Sequence, residues 1–154
     1  MVRPAVRPFP WVCGNCGKAE VVPGVGPYRV RVKHADVLHD VEVNEMSSPR
    51  CGSCGEVVIG DEQDRLINEA LREKLGLLSP GEMLARREAL GVGRAELAAR
   101  LGVAEETLAL WERGALIQST ASDRLLRLCF DVPEARAYLG ITGSGLRPDS
   151  AGAA

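Results

Sequence analysis

Aromatic residues are scarce in this chain, at 4%, so whatever core it builds must be small and aliphatic. An excess of positive charge is missing too. The formal net charge is −2, which excludes an indiscriminate coater of nucleic acid but leaves room for one local basic face. Long apolar runs are also absent: nowhere do 18 apolar residues follow one another, and the first 30 residues, despite Arg3 and Arg7, hold no run of seven. That pattern predicts a cytoplasmic protein with no membrane partner.

What is present is an ordinary soluble balance, 26% charged and 45% hydrophobic over 154 residues, enough for one moderate domain or two small ones. Five cysteines stand out, because four of them fall into two tight pairs. Cys13-Gly14-Asn15-Cys16-Gly17 is echoed, after 34 intervening residues, by Cys51-Gly52-Ser53-Cys54-Gly55. Two such turns brought together place four thiolates in a tetrahedron, the closed coordination sphere of structural zinc, with Zn–S bonds of about 2.3 Å. We therefore expect one structural Zn²⁺ on Cys13, Cys16, Cys51 and Cys54, supplying folding free energy that so small a core lacks. The alternative is a pair of redox dithiols or disulfides. A redox Cys-x-x-Cys, however, belongs at a helix start in a βαβ setting, whereas these pairs mirror each other in a β-rich segment. Four thiolates leave no open position for catalysis. His34 and His39 lie between the pairs and read as exposed strand residues more readily than as ligands. Cys129, in an apolar run, reads as a buried inert thiol.

In chain order, residues 1–11 carry Pro4, Pro8 and Pro10 and predict a flexible leader. Residues 12–60 form the four-cysteine β module: Tyr28 to Lys33 alternates with period two, as does part of Val37 to Val43, giving a hairpin or small meander, and Val57 to Ile59 reads as a short added strand. Residues 61–78 hold a linking helix, capped by Asp61, with an apolar stripe from Leu66 to Leu75 ending at Gly76. Residues 79–140 are expected to be all helical. Ser79-Pro80-Gly81-Glu82 combines a capping serine, proline at the first helical position and glutamate three residues after the cap. Helices follow at Arg94 to Leu101 and Glu105 to Arg113, then one capped by Thr120 and stopped by Pro133, then Glu134 to Leu139. Residues 141–154 are a Gly/Ser/Ala-rich tail expected to be disordered. The fold class is thus α+β, a small β-rich zinc module followed by five helices.

Within the helical part, Leu97 and Leu101 share one face, Gly102 permits a tight turn, and Leu108 and Trp111 share a face of the next helix. That is a helix, a turn and a second helix, either an ordinary αα-hairpin or a DNA-reading helix-turn-helix. Leu97-Ala98, Leu101-Gly102-Val103, Thr107-Leu108 and Trp111-Glu112-Arg113-Gly114 resemble the helix-turn-helix of the Xre/Cro repressor family. The resemblance implies that the second helix faces the major groove of double-stranded DNA.

With Leu108 and Trp111 inward, Ala104, Glu105, Glu106, Ala109, Leu110 and Arg113, flanked by Thr107, form the outward face. Arg94, Arg113, and the helix start at Ser119 and Thr120 with Arg124 behind, are candidates for phosphate contacts. The family's usual serine, glutamine and arginine are replaced here, and the span from Ser79 to Gly140 has eight arginines against nine acids, a net of −1. Two glutamates can accept from cytosine but repel phosphate, so a protein-binding adaptor that no longer reads DNA stands as the alternative. Catalysis is not expected: Glu105 and Glu106 are adjacent, point apart on a helix and have no histidine beside them.

Taken whole, Cys13 to Leu139 is similar in layout to the MqsA-type (YgiT-type zinc finger) antitoxin and regulator family. The likeness rests on the four paired cysteines, the Leu71-Arg72 to Gly76 helix end, Trp111 to Gly114, and Gln118-Ser119 through Asp123 to Arg127. It implies a homodimeric transcriptional regulator, the antitoxin of a type II toxin-antitoxin system, whose zinc module binds a toxin and whose helices repress their own operon at a palindromic operator. One module buries little surface, so two half-sites about 34 Å apart are expected. The dimer contact is placed on Thr120 to Leu139, which otherwise completes the core. Arg29, Arg31 and Lys33 mark a hairpin face that is either a partner surface or merely solvated.

Overall fold

The computed structural model describes residues 7–142; the expected leader over 1–6 and the tail from 143 onward lie outside the described residues. Four strands come first, β1 Val21–Val22, β2 Val25–His34, β3 Val37–Ser47 and β4 Arg50–Cys51. Six helices follow, α1 Asp61–Leu75, α2 Pro80–Ala89, α3 Arg94–Leu101, α4 Glu105–Glu112, α5 Thr120–Asp131 and α6 Pro133–Tyr138. The β-rich part precedes the helical part, as expected, but it is not one sheet. β1 pairs antiparallel with β4, while β2 and β3 form a separate hairpin.

The hairpin turns on Ala35 and Asp36, both in the left-handed region at φ 48° and 64°, the twist a two-residue hairpin loop requires. Period-two alternation then sets its two faces. Tyr28, Val30 and Val32 on β2, with Val41 and Val43 on β3, pack against Ile67, Ala70, Leu71 and Leu75 of α1, and Ile117 joins them. The linking helix is therefore the second layer of the hairpin rather than a bare connector. On the outer face Arg29 pairs with Glu42, Arg31 with Asp40 and Lys33 with Asp36, each at 3.1 Å and exposed. Such pairs contribute at most about 1 kcal/mol each. A bulge between Gly26 and Tyr28 shifts the register at Pro27, which has no N–H to give to a ladder. Val57 forms only an isolated bridge to Arg50, so the strand expected over Val57 to Ile59 does not form. Ile59 instead packs on the hairpin layer.

Helix starts follow the sequence with two corrections. Ser79 caps α2 as expected, accepting from the Glu82 amide while Glu82 accepts from the Ser79 amide. Gly60, not Asp61, is the cap of α1; its amide donates to Gln63 Oε1 at 3.1 Å, and Asp61 becomes the first helical residue. Ser119, not Thr120, caps α5, its hydroxyl accepting from the Ser122 amide. Pro133, read as a stop, opens α6 at its first position, where a missing N–H costs nothing.

The helical core gathers Leu78, Met83, Val92, Leu97, Ala98, Leu108, Trp111, Leu126, Cys129 and Phe130, and Ile141 closes it. Ordered packing thus runs one residue into the segment expected to be tail. Leu126 is fully buried, so Leu126→Ala should cost the helical domain about 3 kcal/mol, a loss readable as a lower denaturant midpoint.

Candidate functional site

Each cysteine pair makes the same local turn. The Cys13 amide donates to Lys18 O and the Gly17 amide to Cys13 O; the Cys51 amide donates to Glu56 O and the Gly55 amide to Cys51 O. Gly17 and Gly55 hold φ of +74° and +77°, a conformation that glycine alone adopts without strain, and it folds the chain back behind the sulfurs. β1 and β4 then zip the two turns together through Val21 opposite Cys51.

The four sulfurs of Cys13, Cys16, Cys51 and Cys54 all lie within 4.8 Å of one another. Cys13 Sγ to Cys54 Sγ and Cys16 Sγ to Cys51 Sγ are both 3.6 Å. A disulfide needs about 2.05 Å, so these are free thiols. The edge of a tetrahedron with 2.3 Å metal–sulfur bonds is about 3.8 Å, so the sulfurs sit where four thiolates around one divalent ion would. Asn15 Nδ2 donates to Cys54 Sγ at 3.7 Å, an outer contact of the kind that orients a ligand sulfur. The Lys18 amide favours the Cys16 thiolate, yet burial and the three crowding thiols outweigh it and push that thiol up to about 11. A cation at the centre reverses this, because thiolate is the form it binds.

Lys18 Nζ donates to Ser53 Oγ at 2.9 Å and the Gly52 amide to Glu20 O between the two turns, but apolar burial at this end of the molecule is slight. Its buried cluster is Cys13, Val21 and Cys51, with Trp11 and Val58 against it. Trp11, expected in the leader, bridges to Val21 and stacks on Phe9 with ring centroids 4.3 Å apart. His34 and His39 are not part of the sulfur cluster. They sit together on the hairpin, rings 6.4 Å apart, half-buried rather than exposed as expected. Burial, then neighbouring His39 and Arg72, lowers the His34 pKa. Cys129 is buried at the helical core, where burial pushes its thiol up.

The other sequence-predicted residues lie on the helical part. A three-residue turn, Gly102 to Ala104, separates α3 from α4, with Gly102 at φ +73°. Glu105, Glu106 and Arg113 are exposed on α4 and its end, and Thr107, Ala109 and Leu110 are half-buried beside them. Arg113 pairs with Glu106 at 3.3 Å across this surface. Arg94 is tied inward, its Nε donating to Glu112 Oε2 at 2.9 Å. Ser119 is engaged in capping. Arg124 is exposed and has no ion-pair partner among the described residues.

Among the buried polar groups that went unread in the sequence, Glu112 and Asp123 tie the helices together. Glu112 is 8% exposed and accepts from Arg87 Nε at 2.6 Å as well as from Arg94, which locks α2, α3 and α4 together. Burial raises its affinity for a proton, but these hydrogen bonds outweigh burial and hold its pKa below the usual value. Asp123 accepts from the Leu78 amide at 2.7 Å, from Gln118 Nε2 at 3.1 Å and from Arg127 at 2.7 Å, fastening α5 to the start of the domain. The available signal was the charged pair inside Trp111-Glu112-Arg113-Gly114, where a buried glutamate needs a partner arginine from another helix.

Compared with known proteins, the chain matches no family model and no curated sequence. The described residues include no helix long and apolar enough to cross a membrane.

Proposed function

We propose that this protein is a DNA-binding transcriptional regulator of the Xre type carrying one structural zinc ion on Cys13, Cys16, Cys51 and Cys54. The observation that carries the metal is the cluster of four free sulfurs at near-tetrahedral edges; an all-thiolate set is the chemistry that selects zinc and closes its coordination sphere. The DNA reading is supported by two eight-residue helices at a three-residue turn, with Glu105 and Glu106 of α4 exposed and Thr107, Ala109 and Leu110 half-buried beside them. In this reading α4 enters the major groove and Arg124, free of carboxylates, meets phosphate.

Two chains act together, reading half-sites about 34 Å apart. Leu128 at 48% and Tyr138 at 91% exposure are apolar surface on α5 and α6 suited to that contact. The likeness to MqsA-type regulators extends the proposal to an antitoxin whose N-terminal part holds a toxin.

The adaptor reading draws on one specific observation, that the sole cation at the end of α4 is already paired with Glu106. Selection of duplexes from a random library by the metal-loaded chain separates the two. We expect an enriched, two-fold symmetric sequence, and Arg124→Ala should weaken every duplex alike while lowering the salt slope by about one. An adaptor enriches nothing.

A further inference from the structure

The junction between α1 and the helical domain contains a buried arginine. Arg72 is 3% exposed and makes no ion pair among the described residues. Its Nη2 donates to Leu116 O at 2.7 Å, but its Nε has no partner. Buried polar hydrogens are ordinarily satisfied, and a buried guanidinium cannot escape by losing its proton. Arg72 therefore calls for an acceptor.

It lines a cleft of about 320 Å³ that Arg65 of α1 and Arg113 at the end of α4 also line. The start of α2, Ser79 to Gly81, also lines it; the cap takes the Ser79 and Glu82 amides and Pro80 has no N–H, which leaves the Gly81 amide as the donor on that wall. Glu69 is the one carboxylate on the wall and its charge acts on Arg72, against three guanidinium groups, of which that of Arg113 is shared with Glu106 at 3.3 Å. Gly114 keeps the mouth open: at φ +77° it carries no side chain, and a Cβ there would meet Pro80 at 3.2 Å and Arg72 Nη1 at 3.9 Å.

We propose that this cleft binds a tetrahedral oxyanion of the phosphate class, held by Arg72 and Arg65, with the Gly81 amide beside them and Arg113 exchanging Glu106 for the anion. Two sources present the same chemistry, a free phosphate group and a backbone phosphate of a bound duplex. The first stands independently of the DNA reading; the second rests on it.

The probe is inorganic phosphate added to the full, metal-loaded chain, with thermal midpoint measured against chloride at equal ionic strength. Phosphate should raise the midpoint saturably, as a ligand of the folded state does. Arg65→Ala, an exposed substitution that leaves the fold intact, should weaken the apparent affinity about tenfold, the effect of one lost charge-assisted hydrogen bond. Arg72→Lys, which keeps the charge but loses the fork, should weaken it at least as much, while Arg29→Ala on the far face of the hairpin should change nothing. If free phosphate gives no protection but Arg65→Ala lowers the salt slope of duplex binding by about one, the oxyanion is a backbone phosphate. Protection that persists in both Arg65→Ala and Arg72→Lys, or no effect of Arg65→Ala in either assay, overturns the site.

Discussion

Cys51→Ser, or exhaustive chelation of the full chain, is expected to unfold the segments around the two cysteine turns while the helical domain keeps its own cooperative transition. Cys51 is both one of the four clustered sulfurs and one of only three buried residues in its cluster, so the substitution removes a proposed ligand and core together. Structural zinc contributes of order 10 kcal/mol to folding in small modules, more than such a cluster supplies by burial. The hairpin behaves differently. Its apolar face is covered by α1, through Val41, Ile67 and Leu71, and it should persist. In an amide correlation spectrum, resonances from Val12 to Val22 and from Arg50 to Val58 should collapse to random-coil positions on chelation, and those of α2 to α5 should stay. Uniform loss of all resonances would mean that the molecule is one cooperative unit.

Glu112→Ala should destabilise the helical domain by about 4 kcal/mol, because it strands Arg87 in the interior with its counter-ion gone. That is a large share of the total stability of a small domain. The buried pair itself is not the gain; the uncompensated guanidinium is the loss. Acid should reproduce part of the effect. The pKa of Glu112 is lower folded than its ordinary 4.5, and that of Asp123 lower than 3.8; burial opposes both shifts but is outweighed by arginine hydrogen bonds, joined at Asp123 by those of the Leu78 amide and Gln118. Each carboxylate therefore adds stability that is complete above its unfolded pKa and is lost as pH falls through the folded one. Denaturant midpoints of the wild type should hold down to about pH 5 and then fall, and Glu112→Gln should show a shallower fall from a lower start.

Much of this architecture was legible in local chemistry. The two Cys-Gly-x-Cys-Gly turns announced themselves because glycine, sulfur spacing and metal geometry all act within five residues. The Ser79 cap, the Gly102 turn and the alternation in Tyr28 to Lys33 are likewise short-range facts. What escaped was long-range. Nothing in Asp61 to Leu75 says that its apolar stripe faces a hairpin rather than the next domain. Gly60 took the cap from Asp61 because Gln63 reaches back to its amide, and Ser119 took it from Thr120 because either hydroxyl suits the position. Arg94 read as a phosphate contact because its helix-start position suits one; that Glu112, 18 residues on, ties it inward is set only by how α3 and α4 pack. Arg72 looked like an ordinary polar residue at a helix end, and only the packing of Leu116 and Gly114 against it reveals a buried charge with no ion pair among the described residues.

The most direct test of the regulator proposal is a fluorescence-anisotropy titration of the library-selected duplex with Ala109→Glu, set beside the wild type at one fixed salt concentration. Ala109 is half-buried on the outer face of α4 and distant from the metal ligands in sequence, so the variant should melt normally. Loss of selective binding with unchanged melting is the predicted result, since the new carboxylate would face the groove. Ala109→Glu binding the same duplex as tightly as the wild type would contradict the account, because α4 would then not be the surface that reads DNA.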